Sequence, residues 1–229
     1  MADYKMEAAK AAIKLIKPGQ NIGLGAGATI ANLVSLLTLE GALASSLTLA
    51  SSSFKTTGLM MECGLNVRSI ALTKSLDIYF DGCDQFDTEL NALKSGGGIH
   101  TSEKILASMA AEFILIGDAA KFVDRLDTTY PLVIEVLPAA LPLVMRQIGN
   151  YFPDARIMIR MSDKKDGAAI TDNGNLLLDV YFRQIPALEK LNIQVKMIPG
   201  VVEHSLFYRM AGKAIIAGPE GIQIISPVY

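Results

Sequence analysis

The stretch Asn21-Ile22-Gly23-Leu24-Gly25-Ala26-Gly27-Ala28-Thr29-Ile30 decides the fold. A short apolar strand runs into a glycine turn, and Ile30, Leu33, Val34 and Leu37 then recur at helical spacing. A strand, glycine turn and helix in that order point backbone N–H groups and a helix N-terminus at one spot, where an anion such as phosphate is favoured. The Thr29 hydroxyl adds a further donor. The third glycine of a dinucleotide fingerprint is missing, and Ser51-Ser52-Ser53 stand where an acid would end the next strand, so NAD is not expected. A tight turn that needs its glycines for packing alone is the competing reading.

Working outward, Met6, Ala9, Ile13 and Ile16 mark an earlier helix that Lys17-Pro18-Gly19 stops. Leu47 to Ala50, Val67 to Leu72, Leu76 to Phe80 and Phe113 to Gly117 read as short buried strands, and Ile105 to Ala111 as helix between them. This alternation predicts an α/β fold with a Rossmann-like parallel sheet covered on both faces. After Tyr130 the texture changes. Val133 to Val136, Arg156 to Met161, Leu176 to Val180 and Ile193 to Ile198 read as strands, with helices expected from Leu141 and from Phe182. Residues 131–205 are therefore expected to form a smaller α+β lid, and Ala214 to Ala217 and Ile222 to Ile225 to return as closing strands. The larger unit is then 1–130 together with 206–229.

Composition narrows the function. The 229 residues are 51% hydrophobic with a formal net charge of −2, so no basic footprint for nucleic acid is present. Cys63 and Cys83 stand apart without metal-ligand spacing, which fits reduced thiols. The start, Met1-Ala2-Asp3-Tyr4-Lys5, is polar, and no apolar run is long enough to span a bilayer. A cytoplasmic protein without membrane or nucleic-acid partners is expected.

Two further segments can carry chemistry. Asp81-Gly82-Cys83-Asp84-Gln85 follows an apolar strand directly, where open sheets bind ligands, and paired carboxylates grip sugar hydroxyls well. A lone Asp-Gly is more often a solvated turn, but Asp118 ends another strand with Lys121 close behind. Lys94-Ser95-Gly96-Gly97-Gly98-Ile99-His100-Thr101-Ser102-Glu103-Lys104 joins a glycine loop, open to close ligand approach, to a helix starting near Thr101. Glu103 sits in its first turn, where the helix dipole favours the ionised form that a general base needs, and Lys94 can offset oxyanion charge. A capping Glu and a solvated Lys would be the plain alternative. His100 and His204 lack ligand-like spacing and are expected to be structural or on the surface.

Taken together, these segments resemble the A-type ribose-5-phosphate isomerases over nearly the whole chain. The resemblance also runs through Asp118-Ala119-Ala120-Lys121, Pro131 to Pro138, Thr171-Asp172-Asn173-Gly174-Asn175 and Ile198-Pro199-Gly200-Val201-Val202. It implies interconversion of ribose 5-phosphate and ribulose 5-phosphate through an enediol, without metal or other cofactor. Glu103 would move the proton, Asp81, Asp84 and Lys94 would bind and polarise the sugar oxygens, and Gly96, Gly97 and Lys121 would line the site. Gly27, Ala28 and Thr29, with Lys5, would hold the phosphate. A Rossmann-like domain with a ferredoxin-like lid, assembled as a homodimer or homotetramer, is implied as well.

The chain departs from the family pattern at Ala26 and Ala28, which lack loop hydroxyls, at Gln85 in place of Glu, at Ser95 in place of Gly, and at Ser102 in place of Arg. Another sugar phosphate as substrate, or a non-catalytic sensor on the same scaffold, are the alternatives; a CoA-transferase-like activity fits less well. The loop makes one prediction. A hydroxyl restored by Ala28→Ser supplies a charge-assisted hydrogen bond of about 1.5–3 kcal/mol, so phosphate affinity measured by calorimetry should rise roughly ten- to hundredfold. Unchanged affinity for both inorganic phosphate and ribose 5-phosphate would mean that the loop does not face phosphate.

Overall fold

The computed structural model describes residues 3–228. Met1, Ala2 and Tyr229, and with them the ends of the polar N-terminal stretch and of the closing unit, lie outside the described residues. Helix α1 (Tyr4–Ile13) leads to strand β1 (Asn21–Leu24), α2 (Ala28–Leu39), α3 (Gly41–Ser46), β2 (Thr48–Ser51), α4 (Phe54–Glu62) and β3 (Leu76–Asp81). Two short strands, β4 (Gln85–Phe86) and β5 (Ala92–Leu93), precede α5 (His100–Met109) and β6 (Ala110–Asp118). The lid comprises β7 (Leu132–Val136), α6 (Leu141–Tyr151), β8 (Arg156–Ile159), β9 (Leu176–Tyr181), α7 (Leu188–Lys196) and β10 (Val201–His204). The chain closes with β11 (Leu206–Phe207), β12 (Lys213–Gly218) and β13 (Gly221–Ile225).

The large sheet has the order β13-β12-β6-β3-β1-β2, parallel except for the antiparallel edge β13. Apart from the exposed edge β13, its strands are buried on both faces. Along β6, Ile114 and Ile116 point into the core beneath α1 and α2, while Phe113 and Leu115 point to the opposite core beside α5. Strand β1 lies between β2 and β3, so the chain order reverses there, and a crevice opens beyond the carboxyl ends of β1 and β3. Gly25 and Asp81 meet in that crevice. A Cβ on Gly25 would lie 1.9 Å from the Asp81 carboxyl carbon, so only glycine lets this carboxylate occupy its place.

The lid sheet runs β10-β7-β9-β8, all antiparallel, in a βαββαβ chain order, which is the ferredoxin-like arrangement. Ile134, Val136, Leu178 and Val180 pack beneath α6 and α7. The alternate residues face the large domain. Among them Glu135 is fully buried, and it accepts hydrogen bonds from the Thr101 hydroxyl of α5, Thr171 (2.8 Å), Asn173 (3.1 Å) and Asn175 (2.8 Å).

Several elements differ from expectation. Of Val67 to Leu72, only Val67 bridges to Leu49, and Ile70–Leu72 is a 3₁₀ turn, because Arg68 and Ser69 are exposed and no further strand covers this edge. Ile193 to Ile198 is not a strand. It is the end of α7 and the turn beyond, where Leu191, Val195 and Ile198 recur at helical spacing and are buried. The helix expected from Phe182 begins at Leu188. The strand Val201–His204 and the small sheet β11-β5-β4 had no sequence-level signal, being too short to show a period.

The Glu135 cluster makes a prediction for stability. Burial alone would raise this carboxyl, but the four side-chain donors more than offset it and hold its pKa below the ordinary 4.5. In Glu135→Gln an amide faces donors that need an acceptor, so the variant should lose about 1–3 kcal/mol, read as a melting-temperature drop of about 2–4 °C per kcal/mol. Because the folded pKa is depressed, the carboxylate contribution is present above 4.5 and is lost as pH falls through the folded value. The gap between wild type and variant should therefore narrow in acid, and an equal gap at pH 7 and below pH 4 would refute this origin.

Candidate active site

Three charged side chains converge at the mouth of the β1–β3 crevice. Strand β3 ends with Asp81, the glycine loop begins with Lys94, and the first turn of α5 presents Glu103. The Lys94 ammonium lies 2.9 Å from Asp81 Oδ2 and 3.3 Å from Glu103 Oε1, and also donates to the Gly82 carbonyl. All three residues are buried, with Asp81 1% exposed and Lys94 and Glu103 each 6%. The Tyr79 hydroxyl donates to Asp81 Oδ2 at 2.5 Å and contacts Ser52 Oγ at 3.3 Å. Asp81 Oδ1 accepts the N–H groups of Gly82 (2.7 Å) and Ala26 (3.1 Å).

The electrostatics correct one expectation. The helix dipole was expected to favour the ionised form of Glu103, but burial outweighs it and pushes this carboxyl up to about 8, against the pull of Lys94 and with the repulsion of Asp81. Burial opposes the Lys94 charge as well, yet Asp81 and Glu103 hold its pKa above the ordinary 10.5. Desolvation, then Asp81 and Glu103, raise Tyr79, which stays a neutral donor. The site thus pairs a permanent cation with a carboxyl that titrates near neutrality, the match that proton transfer requires.

Asp84 lies at the edge of this cluster. Its Oδ2 accepts the N–H groups of Ser95 (2.6 Å) and Gly96 (3.0 Å), so it holds the glycine loop through its backbone. Gly96 and Gly97 are exposed at the mouth. Lys121 is half-buried and donates to the Cys83 carbonyl at 2.5 Å, while Asp118 accepts the Ala120 N–H and caps the turn that carries Lys121. Burial pushes the Cys83 thiol up to about 12 despite Lys94 and Lys121, leaving it a packing residue.

Across the crevice, Gly27 starts α2 with φ of +100°, and no side chain caps this helix. Gly27 and Ala28 are exposed and Thr29 is buried. Lys5 stands exposed on α1, and its ammonium makes no hydrogen bond or ion pair with the other described residues. The structure therefore joins Asp81, Lys94 and Glu103 by direct contact and links Asp84 through the loop, while Lys5, Gly27, Ala28 and Lys121 make no hydrogen bond or ion pair with those three. A surface hollow of about 760 Å³ between Asp87, Arg125 and Arg183 contains none of these groups. Both histidines are buried, His100 toward the Glu203 carbonyl and His204 toward that of Asn192.

Sequence reasoning missed Tyr79 and Glu135. Tyr79 shares a strand face with Asp81 two residues on, a signal that period-2 alternation carries. Glu135 is a lone acid inside the apolar run Leu132 to Val136, which a search for buried charge would have singled out.

Comparison with known proteins points to one family. The sequence profile of ribose 5-phosphate isomerase A (phosphoriboisomerase A) matches residues 48–221. Ribose-5-phosphate isomerase A of Sinorhizobium medicae is 37% identical over 225 residues, covering 96% of each chain, and that of Pyrococcus abyssi is 34% identical over 225 residues, covering 97% of each. The solved structure of ribose 5-phosphate isomerase A from Methanocaldococcus jannaschii superposes with a TM-score of 0.90 at 34% identity over 98% of each chain. A D-ribose-5-phosphate isomerase solved in complex with phospho-erythronic acid superposes at 0.91, with 33% identity and the same coverage. With the buried acid–lysine–acid cluster at the switch point of its sheet and relatives matching along nearly its full length, this chain belongs to the ribose-5-phosphate isomerase A family.

Proposed function

We propose that the chain interconverts ribose 5-phosphate and ribulose 5-phosphate, with Glu103 carrying a proton between the two carbons of an enediol. The observation that carries this reading is the Lys94 ammonium held within 3.3 Å of the Glu103 carboxylate in a buried site. An aldose becomes a ketose when the C–H bond beside the carbonyl breaks and the same proton returns to the former carbonyl carbon. Ionised Glu103 takes that proton, and the electron pair moves onto the carbonyl oxygen. Lys94, protonated throughout, stabilises the charge that develops there. Asp81, fixed by Tyr79 and two backbone N–H groups, is an oriented acceptor for the hydroxyl proton that moves between the sugar oxygens.

The phosphate fits at the uncapped start of α2, where the backbone N–H groups of Gly27, Ala28 and Thr29 have no side-chain partner. Lys5 and Lys121 supply positive charge. The ligand of the structural relative supports this reading: phospho-erythronic acid carries a phosphate at one end and at the other a planar, anionic carboxylate whose two oxygens resemble those of an enediolate. Binding requires no metal, since Lys94 supplies the positive charge. The division into 1–130 with 206–229 and a 131–205 lid, the homodimeric or homotetrameric state, and the cytoplasmic location without nucleic-acid partners belong to the same reading. No described helix is long and apolar enough to cross a membrane.

Two measurements test the mechanism. Glu103→Gln should lower turnover by roughly 10²- to 10⁴-fold with substrate binding largely kept. Near wild-type turnover with any pentose or hexose phosphate would remove Glu103 from the reaction. The pH profile gives the second test, because the base works only when ionised and burial raises it to about 8. The value of kcat/KM should therefore climb with pH through an acid limb well above 4.5, the ordinary glutamate value. Lys94, whose pKa lies above its ordinary 10.5, should impose no loss before strongly alkaline pH. An acid limb at 4.5 would mean that Glu103 is not desolvated in the free protein or is not the base.

A further inference from the structure

The lid touches the catalytic loop through a guanidinium. Arg160, just after β8, binds Asp179 of β9 with Nε 3.0 Å from Oδ1 and 3.1 Å from Oδ2, and with Nη2 2.6 Å from Oδ1. Its remaining donors cross to the loop, Nη2 to the Ser95 carbonyl at 2.8 Å and Nη1 to the Gly96 carbonyl at 3.2 Å. From the opposite side, Asp84 takes the N–H groups of the same two residues at 2.6 and 3.0 Å. The peptide unit between Ser95 and Gly96 is therefore held with its N–H on an anion and its C=O on a cation, each bond charge-assisted. The Ser95 hydroxyl adds a bond to the Pro131 carbonyl at 2.6 Å, where the chain enters the lid. Gly98, at φ of +68°, lies so close to Leu177 that a Cβ would come within 2.8 Å of its Cδ1.

Lys94 immediately precedes this clamp. We propose that Arg160 is a positioning residue for the isomerase reaction: it latches the glycine loop to the lid and so fixes the Lys94 ammonium between Asp81 and Glu103. The proposal rests on the isomerase reading for its kinetic consequence, but not for its structural one. Only a planar fork can serve a carboxylate and two carbonyls at once, so lysine is not an equivalent substitute. The rival is a plain ion pair that stabilises the lid. In that case Arg160 would matter to folding and leave the loop alone.

The test uses Arg160→Met and Arg160→Lys, with Arg156→Met as control, since Arg156 opens the strand that Arg160 follows and stacks on Tyr181 with its guanidinium carbon 4.6 Å from the ring centroid. Arg160→Met should lower kcat for ribose 5-phosphate about ten- to hundredfold with KM moving far less, as a displaced catalytic group does. Amide exchange at Ser95 and Gly96 in the ligand-free protein should accelerate by about tenfold or more while β9 keeps its protection. Arg160→Lys should fall between Met and wild type, and Arg156→Met should match wild type in both readouts. Should the Met variant fail to fold, Arg160→Lys carries the test, because a lysine can keep the Asp179 pair while losing carbonyl bonds. Unchanged exchange at Ser95 and Gly96, unchanged kcat, or an equal effect in Arg156→Met would overturn the latch. If the wild type turned over no sugar phosphate, the isomerase reading would fail while the exchange measurement still judged the latch.

Discussion

The Lys94 ammonium sits 2.9 Å from one carboxylate and 3.3 Å from another with almost no contact to water. Taking such an ion out of water without partners costs several kcal/mol, so the cation exists only because the two acids surround it. The converse holds for the acids, and less completely. Two negative charges face one positive charge in a desolvated space, and the second ionisation is opposed by the first. Burial is the larger cause of the raised Glu103, and that imbalance adds to it. A carboxyl that titrates near neutrality therefore arises from desolvation and the count of buried charge together, and the neighbouring features follow from the need to hold that cluster in place. Gly25 leaves room for Asp81, Tyr79 and the Ala26 and Gly82 amides orient it, and the glycine loop delivers Lys94.

The two lobes divide this task. The larger lobe supplies Asp81 at a strand end and Glu103 at a helix start, both buried. The lid supplies no proton-transferring group. It grips the start of α5 through Glu135 and Thr101, and the glycine loop through Arg160. The open face of a ferredoxin-like sheet, which would otherwise need covering, thus becomes the scaffold against which the glycine loop and the start of α5 are pressed.

Much of this is legible in the sequence, for definable reasons. The unit from Asn21 to Leu37 declares itself through a change of period, and the acid that ends Leu76 to Asp81 marks a site because strand ends in open sheets face ligands. Lys94 and Glu103 are recognisable from a glycine loop feeding a helix. The titration state of Glu103 is not, since burial arises from residues distant in sequence, and the local dipole argument points the other way. Likewise Ile193 and Val195 alternate as a strand would, and only packing by Leu191 and Ile198 discloses the helix. Arg160 and Asp179 are two polar residues on separate strands whose meeting depends on the pairing of Ile159 with Leu178.

Strand β12 enters the large sheet beside β6, and α1 packs against both, so the first helix rests partly on one of the last strands of the chain. The lid, by contrast, draws all its strands and helices from one continuous run. During synthesis the lid therefore emerges with every partner it needs, while β6 waits with a bare edge and α1 with half a seat until residues 213–218 have left the ribosome. The cluster of Asp81, Lys94 and Glu103 is drawn from residues made much earlier. Phe207, whose ring lies 5.7 Å from the Lys94 ammonium, follows the whole lid in the chain. The ionic centre, complete in sequence at Glu103, thus gains this aromatic neighbour only after the lid has been made.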